Sequence, residues 1–163
     1  LREELALDRH TKALNKCALM EYLDAVLVDE NRKPFTLCML DFDDFKNIND
    51  TCGHLEGDRV LTAFSEIARK NIRSGDIFGR FGGEEFIFIF TDTEITQSVK
   101  IIKRIQNELR EYFIGKLPMP VTFSAGTIYA GADNKFSRDE LISAADKLLY
   151  KAKRRGKNRV ITI

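Results

Sequence analysis

The chain has 163 residues, of which 44% are hydrophobic and 31% are charged, a composition typical of one folded domain and not of a disordered chain. Its 26 Lys and Arg residues nearly balance 25 Asp and Glu residues, so the net charge of +1 provides no overall field for binding nucleic acid or an anionic membrane. Three cysteines, an odd number without metal-ligand spacing, favour a reducing compartment. We therefore expect a cytoplasmic domain, either free or attached to a membrane-bound sensor.

Apolar spacing along the chain predicts four helices and five strands. Gly82 and Gly83 join two of the strands, which indicates a hairpin. Ser137 followed by Glu140 indicates the capped start of the last helix. In chain order the predicted elements are a helix over 17–29, a strand over 35–40, a helix around 60–68, strands over 76–81 and 86–90, a helix over 96–113, a strand over 121–129, a helix over 137–155 and a strand over 160–163.

This order does not alternate regularly between strands and helices, and it contains a hairpin. We therefore expect an α+β domain with a mostly antiparallel central sheet flanked by helices. No linker or internal repeat divides the chain, so residues 1–163 are expected to form a single domain. The sequence begins within a helix-like stretch at Leu1, and we expect the domain to be the C-terminal part of a longer sensor protein.

A first cluster of carboxylates follows the apolar strand over 35–40 and consists of Asp41, Asp43 and Asp44. In an extended chain Asp41 and Asp43 point to one side of the strand, whereas Phe42 points to the other. Carboxylates at a strand end suit a hard cation such as Mg²⁺, which prefers oxygen ligands. Asp is also common in solvated turns, so a plain turn is the alternative interpretation.

A second cluster is formed by Glu84 and Glu85, which follow Gly82 and Gly83. Period-two alternation sends the two glutamates to opposite faces of the strand, so at most one is expected to meet Asp41 unless the turn distorts the strand. This argues against a carboxylate pair that shares one proton. The glycines let a ligand approach the backbone closely, although a tight turn alone also explains them.

Acidic and basic groups together indicate a reaction class. Lys46 lies between the two carboxylate clusters, and a basic segment over 151–159 ends the chain. Acidic metal ligands with nearby cations are the groups needed for metal-assisted phosphoryl or nucleotidyl transfer. His10 and His54 are the only histidines, and neither has the context of a catalytic triad. The basic segment follows a helix, where positive charge stabilises the helix dipole, so it does not require a nucleic-acid partner.

Four motifs in order closely resemble the GGDEF family of diguanylate cyclases. They are DFDDFKNIND at 41–50, Gly53-His54 followed by Gly57-Asp58, GGEEF at 82–86, and ADKLLYKAK at 145–153 followed by GKNR at 156–159. The resemblance implies that family's ferredoxin-like, nucleotidyl-cyclase-like fold. It also implies a diguanylate cyclase, in which the 3′-hydroxyl of one GTP attacks the α-phosphorus of a second with Mg²⁺ or Mn²⁺ as cofactor. Two such steps would yield cyclic di-GMP and two pyrophosphates, and a homodimer is needed because each site holds one GTP.

The same resemblance implies a role for individual residues. The metal ligands would be Asp41, the backbone carbonyl of Phe42 and Glu84. The catalytic set would be Asp41, Lys46, Glu84 and Glu85, with Glu85 beside the metal or assisting the nucleophile.

By the same resemblance, the triphosphate would contact backbone amides around Asp44 and Phe45, together with Lys46, Lys153 and Lys157. Guanine would be read by Asn49 and Asp58, since a carboxylate accepts from the N1–H and amine of guanine but finds no such pair on adenine.

The segment Arg73-Ser74-Gly75-Asp76 resembles the RxxD product-inhibition site of the family, at the expected offset before Gly82. Arg suits phosphate or guanine contacts, and Arg104 on the following helix would complete the site. A solvated salt bridge is the alternative interpretation of the Arg73 and Asp76 pair. The corresponding alternative for Asn49 and Asp58 is a pair of turn and helix-capping residues.

The chain departs from the family pattern at several positions. His10, Lys12 and Ala13 stand where Leu, Gly and Leu are usual, which puts packing at the start of the domain in question. Asp44 occupies a position that is often uncharged, and Lys157 stands where Arg is frequent. None of these changes removes an expected metal ligand.

Two other functions remain open. One is a catalytically silent module that binds GTP or cyclic di-GMP, which the intact Asp41, Glu84, Glu85 and Lys46 argue against. The other is a transferase that makes a different cyclic dinucleotide, which Asp58 argues against. The sequence does not identify the input that controls the domain.

Overall fold

One sheet organises the chain. In the computed structural model, which describes residues 6–163, the described residues form five helices and five strands. In chain order they are α1 (Lys16–Val28), β1 (Phe35–Phe42), α2 (Phe45–Cys52), α3 (His54–Asn71), β2 (Ile77–Arg80), β3 (Glu85–Thr91), α4 (Ile95–Phe113), β4 (Phe123–Ala130), α5 (Arg138–Arg154) and β5 (Val160–Thr162).

The strands lie in the order β2-β3-β1-β4-β5. Strand β1 pairs antiparallel with β3 and β4, and β2 pairs antiparallel with β3. Only the pairing of β4 with β5 is parallel among the described strands. The expected α+β class and mostly antiparallel sheet are therefore confirmed, with one parallel pair that makes the sheet mixed.

Helices cover both faces of the sheet, which explains why β1 is a continuous apolar run. Cys38, Leu40 and Phe42 of β1 pack on the side of α3 and α4. Leu37 and Met39 pack on the opposite side, with α1 and α5. By the same alternation Asp41 belongs to the α1 and α5 side.

Phenylalanine rings fix the end of the sheet that carries the carboxylates. Phe64 of α3 lies 5.1 Å from Phe42 and 5.0 Å from Phe86, measured between ring centroids. Phe86, Phe88 and Phe90 all pack on this side, as the alternation in β3 predicts. The ends of β1 and β3 are thus held to one helix by edge-on and tilted ring contacts.

The structure differs from the sequence prediction mainly between β1 and α3, where α2 occupies part of the polar stretch. Only Phe45 and Ile48 of α2 are buried, and two apolar residues are too few to give a periodic pattern. The predicted capping box is confirmed, since Ser137 Oγ accepts from the Glu140 amide at 3.1 Å and Glu140 Oε1 accepts from the Ser137 amide at 3.3 Å. The expected helical start at Leu1 lies outside the described residues. Within 6–163, no helix combines the length and apolar character needed to cross a membrane.

Candidate active site

The two carboxylate clusters meet at one end of the sheet. Asp41, the last residue but one of β1, is the direct partner of Glu85 in the antiparallel register with β3. One residue further along, the Phe42 amide donates to the backbone oxygen of Glu84 at 3.3 Å. Adjacent strands lie about 4.8 Å apart, so this register brings all three carboxyl groups into one neighbourhood.

Glu84 and Glu85 belong to different elements of backbone structure. Strand β3 begins at Glu85, and Glu84 lies in the turn before it, so strand alternation does not govern Glu84. Burial raises the pKa of both carboxyls, and the charge of Asp41 raises each pKa further. The charge of Asp41 thus acts on both glutamates, on Glu85 from the paired strand position and on Glu84 from the turn before β3.

Asp41 is the central acid of the group. Burial raises its pKa, the Lys153 ammonium partly opposes that rise, and the charge of Asp43 adds to it. Its Oδ1 atom is buried and finds no hydrogen-bond partner among the described residues. A carboxylate in that position gains by meeting a cation.

These donors fit a divalent ion that is shared with a ligand. Within the part of the chain that the structure describes, no three His, Cys, Asp or Glu side chains converge closely enough to hold an ion by themselves. Asp41, Glu84 and the Phe42 carbonyl supply two carboxylates and one carbonyl oxygen. Mg²⁺ is commonly held by one or two carboxylates together with substrate phosphates and water, which matches such an open set of donors.

Asp43 stabilises the loop after β1 through hydrogen bonds, a role that the sequence did not predict. Only 3% of its side chain is exposed. It accepts hydrogen bonds from Thr122 Oγ1 (2.7 Å), Ser124 Oγ (2.7 Å), Lys153 Nζ (2.8 Å) and the Asn158 amide (2.9 Å). Burial alone would raise the pKa of Asp43, but these donors, Lys153 foremost, lower it below its usual value. Polar Thr122 and Ser124 in an otherwise apolar strand region are the sequence feature that could have indicated this contact.

Arg80 is a second residue that the sequence analysis missed. Its guanidinium donates to the Gly83 backbone oxygen at 2.6 and 3.0 Å and to Asp8 Oδ2 at 3.0 Å. It therefore ties the turn that carries Glu84 to the segment over 8–13, which contains the unusual residues. Within this segment Ala13 is buried, whereas Lys12 adopts a φ of 63°, a backbone conformation that a glycine would enter more readily.

The predicted phosphate-binding residues surround the start of α2. Asp44 stands at the N-cap with a φ of 53° and makes no side-chain cap, and Phe45 begins the helix with its ring buried. Lys157 Nζ lies 2.8 Å from Asp44 Oδ1. The Lys46 side chain is 91% exposed and lies 3.6 Å from Asp50.

The third predicted phosphate-binding lysine, Lys153, lies elsewhere. Its ammonium donates hydrogen bonds to the backbone oxygens of Asp41 and Phe42 and to the Asp43 carboxylate.

The predicted guanine-reading residues lie where α2 meets α3. The helices approach so closely that a Cβ atom at Gly57 would stand 1.9 Å from Asn49 Oδ1. Asp58 follows in the first turns of α3 and is exposed. It lines an open surface cavity of about 720 Å³ together with His10 and Leu55. Asn49 and Asp58 therefore lie close to the contact between α2 and α3.

The residues of the predicted inhibitory site divide into a buried and an exposed part. The Asp76 side chain has no exposed surface and accepts from the amides of Arg73 (2.9 Å) and Thr91 (3.2 Å). The Arg73 guanidinium, 61% exposed, lies 3.5 Å from Asp76 and donates to the Thr91 oxygen at 2.6 Å. Arg73 and Arg104 line the same surface cavity of about 380 Å³. The two arginines thus face one cavity, and Asp76 holds the turn beneath them.

Known proteins resemble the chain in both sequence and fold. A sequence model described as "Diguanylate cyclase, GGDEF domain" matches residues 5–159. Diguanylate cyclase DosC of Escherichia coli K12 is 34% identical over 164 residues, a match that covers 98% of this chain and 35% of DosC, so the chain spans about a third of that relative.

Solved structures extend the likeness. The GGDEF domain of DgcB from Caulobacter crescentus in complex with c-di-GMP superposes with a TM-score of 0.89 at 27% identity, over 99% of this chain and 98% of that one. The active GGEEF domain of a diguanylate cyclase from Vibrio cholerae gives a TM-score of 0.83 at 28% identity, over 91% of this chain and 96% of that one. The similarity in sequence and in fold therefore extends over nearly the whole chain.

Proposed function

Because the chain belongs to the GGDEF domain family of diguanylate cyclases, we propose that it joins two GTP molecules into cyclic di-GMP with release of two pyrophosphates. The observation that carries the proposal is the register that sets Asp41 against Glu85, with the Phe42 amide on the Glu84 carbonyl. This arrangement gathers carboxylates with raised pKa values at one end of the sheet. The start of α2 lies beside them, as do Lys46, Lys153 and Lys157.

Asp41, Glu84 and the Phe42 carbonyl would hold Mg²⁺ or Mn²⁺. When bound, the ion supplies Lewis-acid polarisation of the phosphate and lowers the pKa of the attacking hydroxyl. Glu85 lies beside these ligands, and a carboxylate with a raised pKa suits acceptance of a proton from that hydroxyl.

The start of α2 would hold the triphosphate. The first amides of a helix have no partner within the helix, so they form a site for anions. Lys46 and Lys157 stand beside this helix start and would add positive charge. Asn49 and Asp58 would then read the guanine base at the crossing of α2 and α3, which selects GTP over ATP.

The reaction needs two copies of the domain. One site of this kind holds one GTP, and the product contains two nucleotides. A homodimer in which the two sites face each other would bring each 3′-hydroxyl to the α-phosphorus of the other GTP.

Cyclic di-GMP would also act as an inhibitor through the cavity of Arg73 and Arg104. The related DgcB domain has been crystallised with c-di-GMP. Two guanidinium groups facing one cavity suit a ligand with two phosphates. In this chain Asp76 would act by positioning Arg73, since its carboxylate is buried and bonded to backbone amides.

Turnover by the purified chain tests the proposal. With GTP and Mg²⁺, at concentrations that allow dimers, we expect release of pyrophosphate and formation of cyclic di-GMP. Glu84→Gln should abolish both, whereas Glu111→Gln on the exposed surface of α4 should change neither. Binding of GTP or cyclic di-GMP without turnover would instead identify a silent binding module.

A further inference from the structure

The Lys153 ammonium lies inside the carboxylate site rather than beside it. Its Nζ donates to the backbone oxygens of Asp41 (3.1 Å) and Phe42 (2.8 Å) and to Asp43 Oδ1 (2.8 Å), and it lies 3.5 Å from Asp41 Oδ2. An ammonium has three N–H donors, so these contacts use all of them. Since only 22% of the side chain is exposed, the site holds the lysine instead of leaving it in solvent.

Asp41 and the Phe42 carbonyl are also the groups proposed to bind the divalent ion. Mg²⁺ takes oxygen ligands at about 2.1 Å, so an ion on the Phe42 oxygen and the present ammonium would lie at most about 5 Å apart. Charges of +2 and +1 at that separation repel each other strongly where the dielectric is reduced. The metal and the ammonium therefore compete for the same oxygens.

Lys153 satisfies these oxygens incompletely. Asp41 Oδ1 is buried and unpartnered among the described residues, although the ammonium lies close to the other oxygen of that carboxylate. A divalent ion carries twice the charge and is not limited to three directed donors, so it can satisfy an oxygen that the ammonium leaves unpaired. The ammonium therefore leaves the site incompletely satisfied, and a divalent ion would complete it.

Resting on the metal and nucleotide site proposed above, we infer that Lys153 is a tethered cation that occupies the divalent-ion site until the metal displaces it. The displaced ammonium then binds the triphosphate. Metal and GTP consequently bind with positive coupling, because the metal frees the ammonium and the phosphates give it a new partner.

Binding of Mn²⁺ to the nucleotide-free chain, followed by the electron paramagnetic resonance of free Mn²⁺, tests this inference. Lys153→Met should bind Mn²⁺ about 5-fold or more tightly than the unmodified chain, because a competing positive charge is removed. Lys33→Met is the control, since its exposed ammonium pairs with Asp92 and has no part in the proposed site. Its Mn²⁺ affinity should change by less than about 2-fold. Equal or weaker Mn²⁺ binding by Lys153→Met overturns the inference.

The Lys153→Met variant is expected to fold, because Asp43 keeps its hydrogen bonds from Thr122, Ser124 and the Asn158 amide. A second measurement needs no substitution at all. Saturating Mn²⁺ should increase acetylation of Lys153 by a short pulse of reagent, read by mass spectrometry, and should leave Lys33, whose side chain is 74% exposed, unchanged. Unchanged labelling of Lys153 overturns the inference.

The two proposals fail in different ways. If the chain forms cyclic di-GMP and binds Mn²⁺, but Lys153→Met gains no affinity, only the tethered-cation inference is wrong. If the chain neither binds Mn²⁺ nor turns over GTP, the proposed function and the inference are both wrong. Loss of Mn²⁺ binding in Asp41→Asn, with gain in Lys153→Met, supports the inference and the proposed metal site.

Discussion

Asp41 of β1 and Glu85 of β3 are direct partners in the antiparallel register of the sheet. Two acidic side chains at paired positions repel each other, and burial adds to the cost of charging them. The folded chain therefore holds two like charges close together, which lowers its stability. Such an arrangement is expected where a cation and a ligand complete the site.

Glu85→Gln should stabilise the metal-free chain while it reduces turnover. The pKa of Glu85 in the folded chain is raised above its usual value of 4.5, so its stabilising contribution is lost as the pH rises through the folded pKa. At neutral pH the carboxylate is therefore unfavourable to folding, and its removal should raise the Tm by about 1–3 °C. Thermal unfolding in EDTA measures this shift, with Glu111→Gln as the control. A lower Tm for Glu85→Gln would contradict the electrostatic explanation.

Asp43→Ala should destabilise the chain by about 2–4 kcal/mol, because it leaves buried donors and the Lys153 ammonium without their acceptor. The neighbouring Asp44→Asn is the control, because it removes an exposed ion pair but keeps a side chain that tolerates the positive φ there, so it should cost less than about 1 kcal/mol. Urea unfolding at pH 7 compares the two variants.

The contribution of Asp43 to stability should also depend on pH. Since the folded pKa of Asp43 lies below its usual value of 3.8, this contribution is present above that value and is lost as the pH falls through the folded pKa. Equal free energies of unfolding for the two variants would show that Asp43 is not a structural anchor.

The sequence predicts the elements of the site better than the contacts within it. Apolar runs identify β1 and β3 because both faces of these strands are buried, and the strand ends then place Asp41 and Glu85 at turns. Helix α2 is missed because its buried side is only Phe45 and Ile48. Its start also depends on a positive φ at Asp44, which no periodic pattern reports.

Anchoring roles are missed for a different reason. Asp43 and its donor Asn158 are 115 residues apart in sequence, and Asp8 and Arg80 are 72 apart. These pairs meet only when the sheet register is set. Strand alternation likewise fails for Glu84 because the strand starts one residue later. Local patterns thus identify which residues carry charge, but the tertiary contacts decide which of them position the others.

Asp44→Asn should lower the KM for GTP about 2- to 5-fold without a matching change in kcat, because removal of one acidic charge frees Lys157 for the triphosphate. At present Lys157 is paired with Asp44 at 2.8 Å, and that carboxylate raises the pKa of the lysine. Steady-state release of pyrophosphate measures both constants. The gain should shrink as salt increases, since both side chains are partly exposed. An unchanged or higher KM at low salt would show that Asp44 does not compete with the nucleotide.

Arg73→Ala should relieve inhibition by cyclic di-GMP, raising the inhibition constant about 10-fold or more through loss of a charge-assisted contact. The fold should survive, since the side chain is 61% exposed. Arg104→Ala should have a smaller effect in the same direction. Turnover at increasing concentrations of added cyclic di-GMP provides the measurement. Inhibition that is unchanged in both variants would remove the regulatory role of this cavity.

Asp76→Ala is expected to behave differently from Arg73→Ala. The buried carboxylate accepts from two backbone amides, so its removal should cost about 1–3 kcal/mol of stability in addition to any loss of inhibition. Urea unfolding and inhibition assays on the same preparations separate the two effects. If Asp76→Ala loses inhibition with full stability, the residue contacts the product directly instead of holding the turn.

Gly57→Ala should impair recognition of guanine while the fold survives. The new Cβ would stand 1.9 Å from Asn49 Oδ1 and 3.3 Å from the Phe45 ring. The nearest atom is the end of a flexible side chain, so Asn49 can rotate away at little cost, but it then leaves the position proposed for base recognition. We expect the KM for GTP to rise about 10-fold, the loss of roughly one hydrogen bond to the base, with a Tm close to that of the unmodified chain. A KM equal to that of the unmodified chain would show that Asn49 does not read the base.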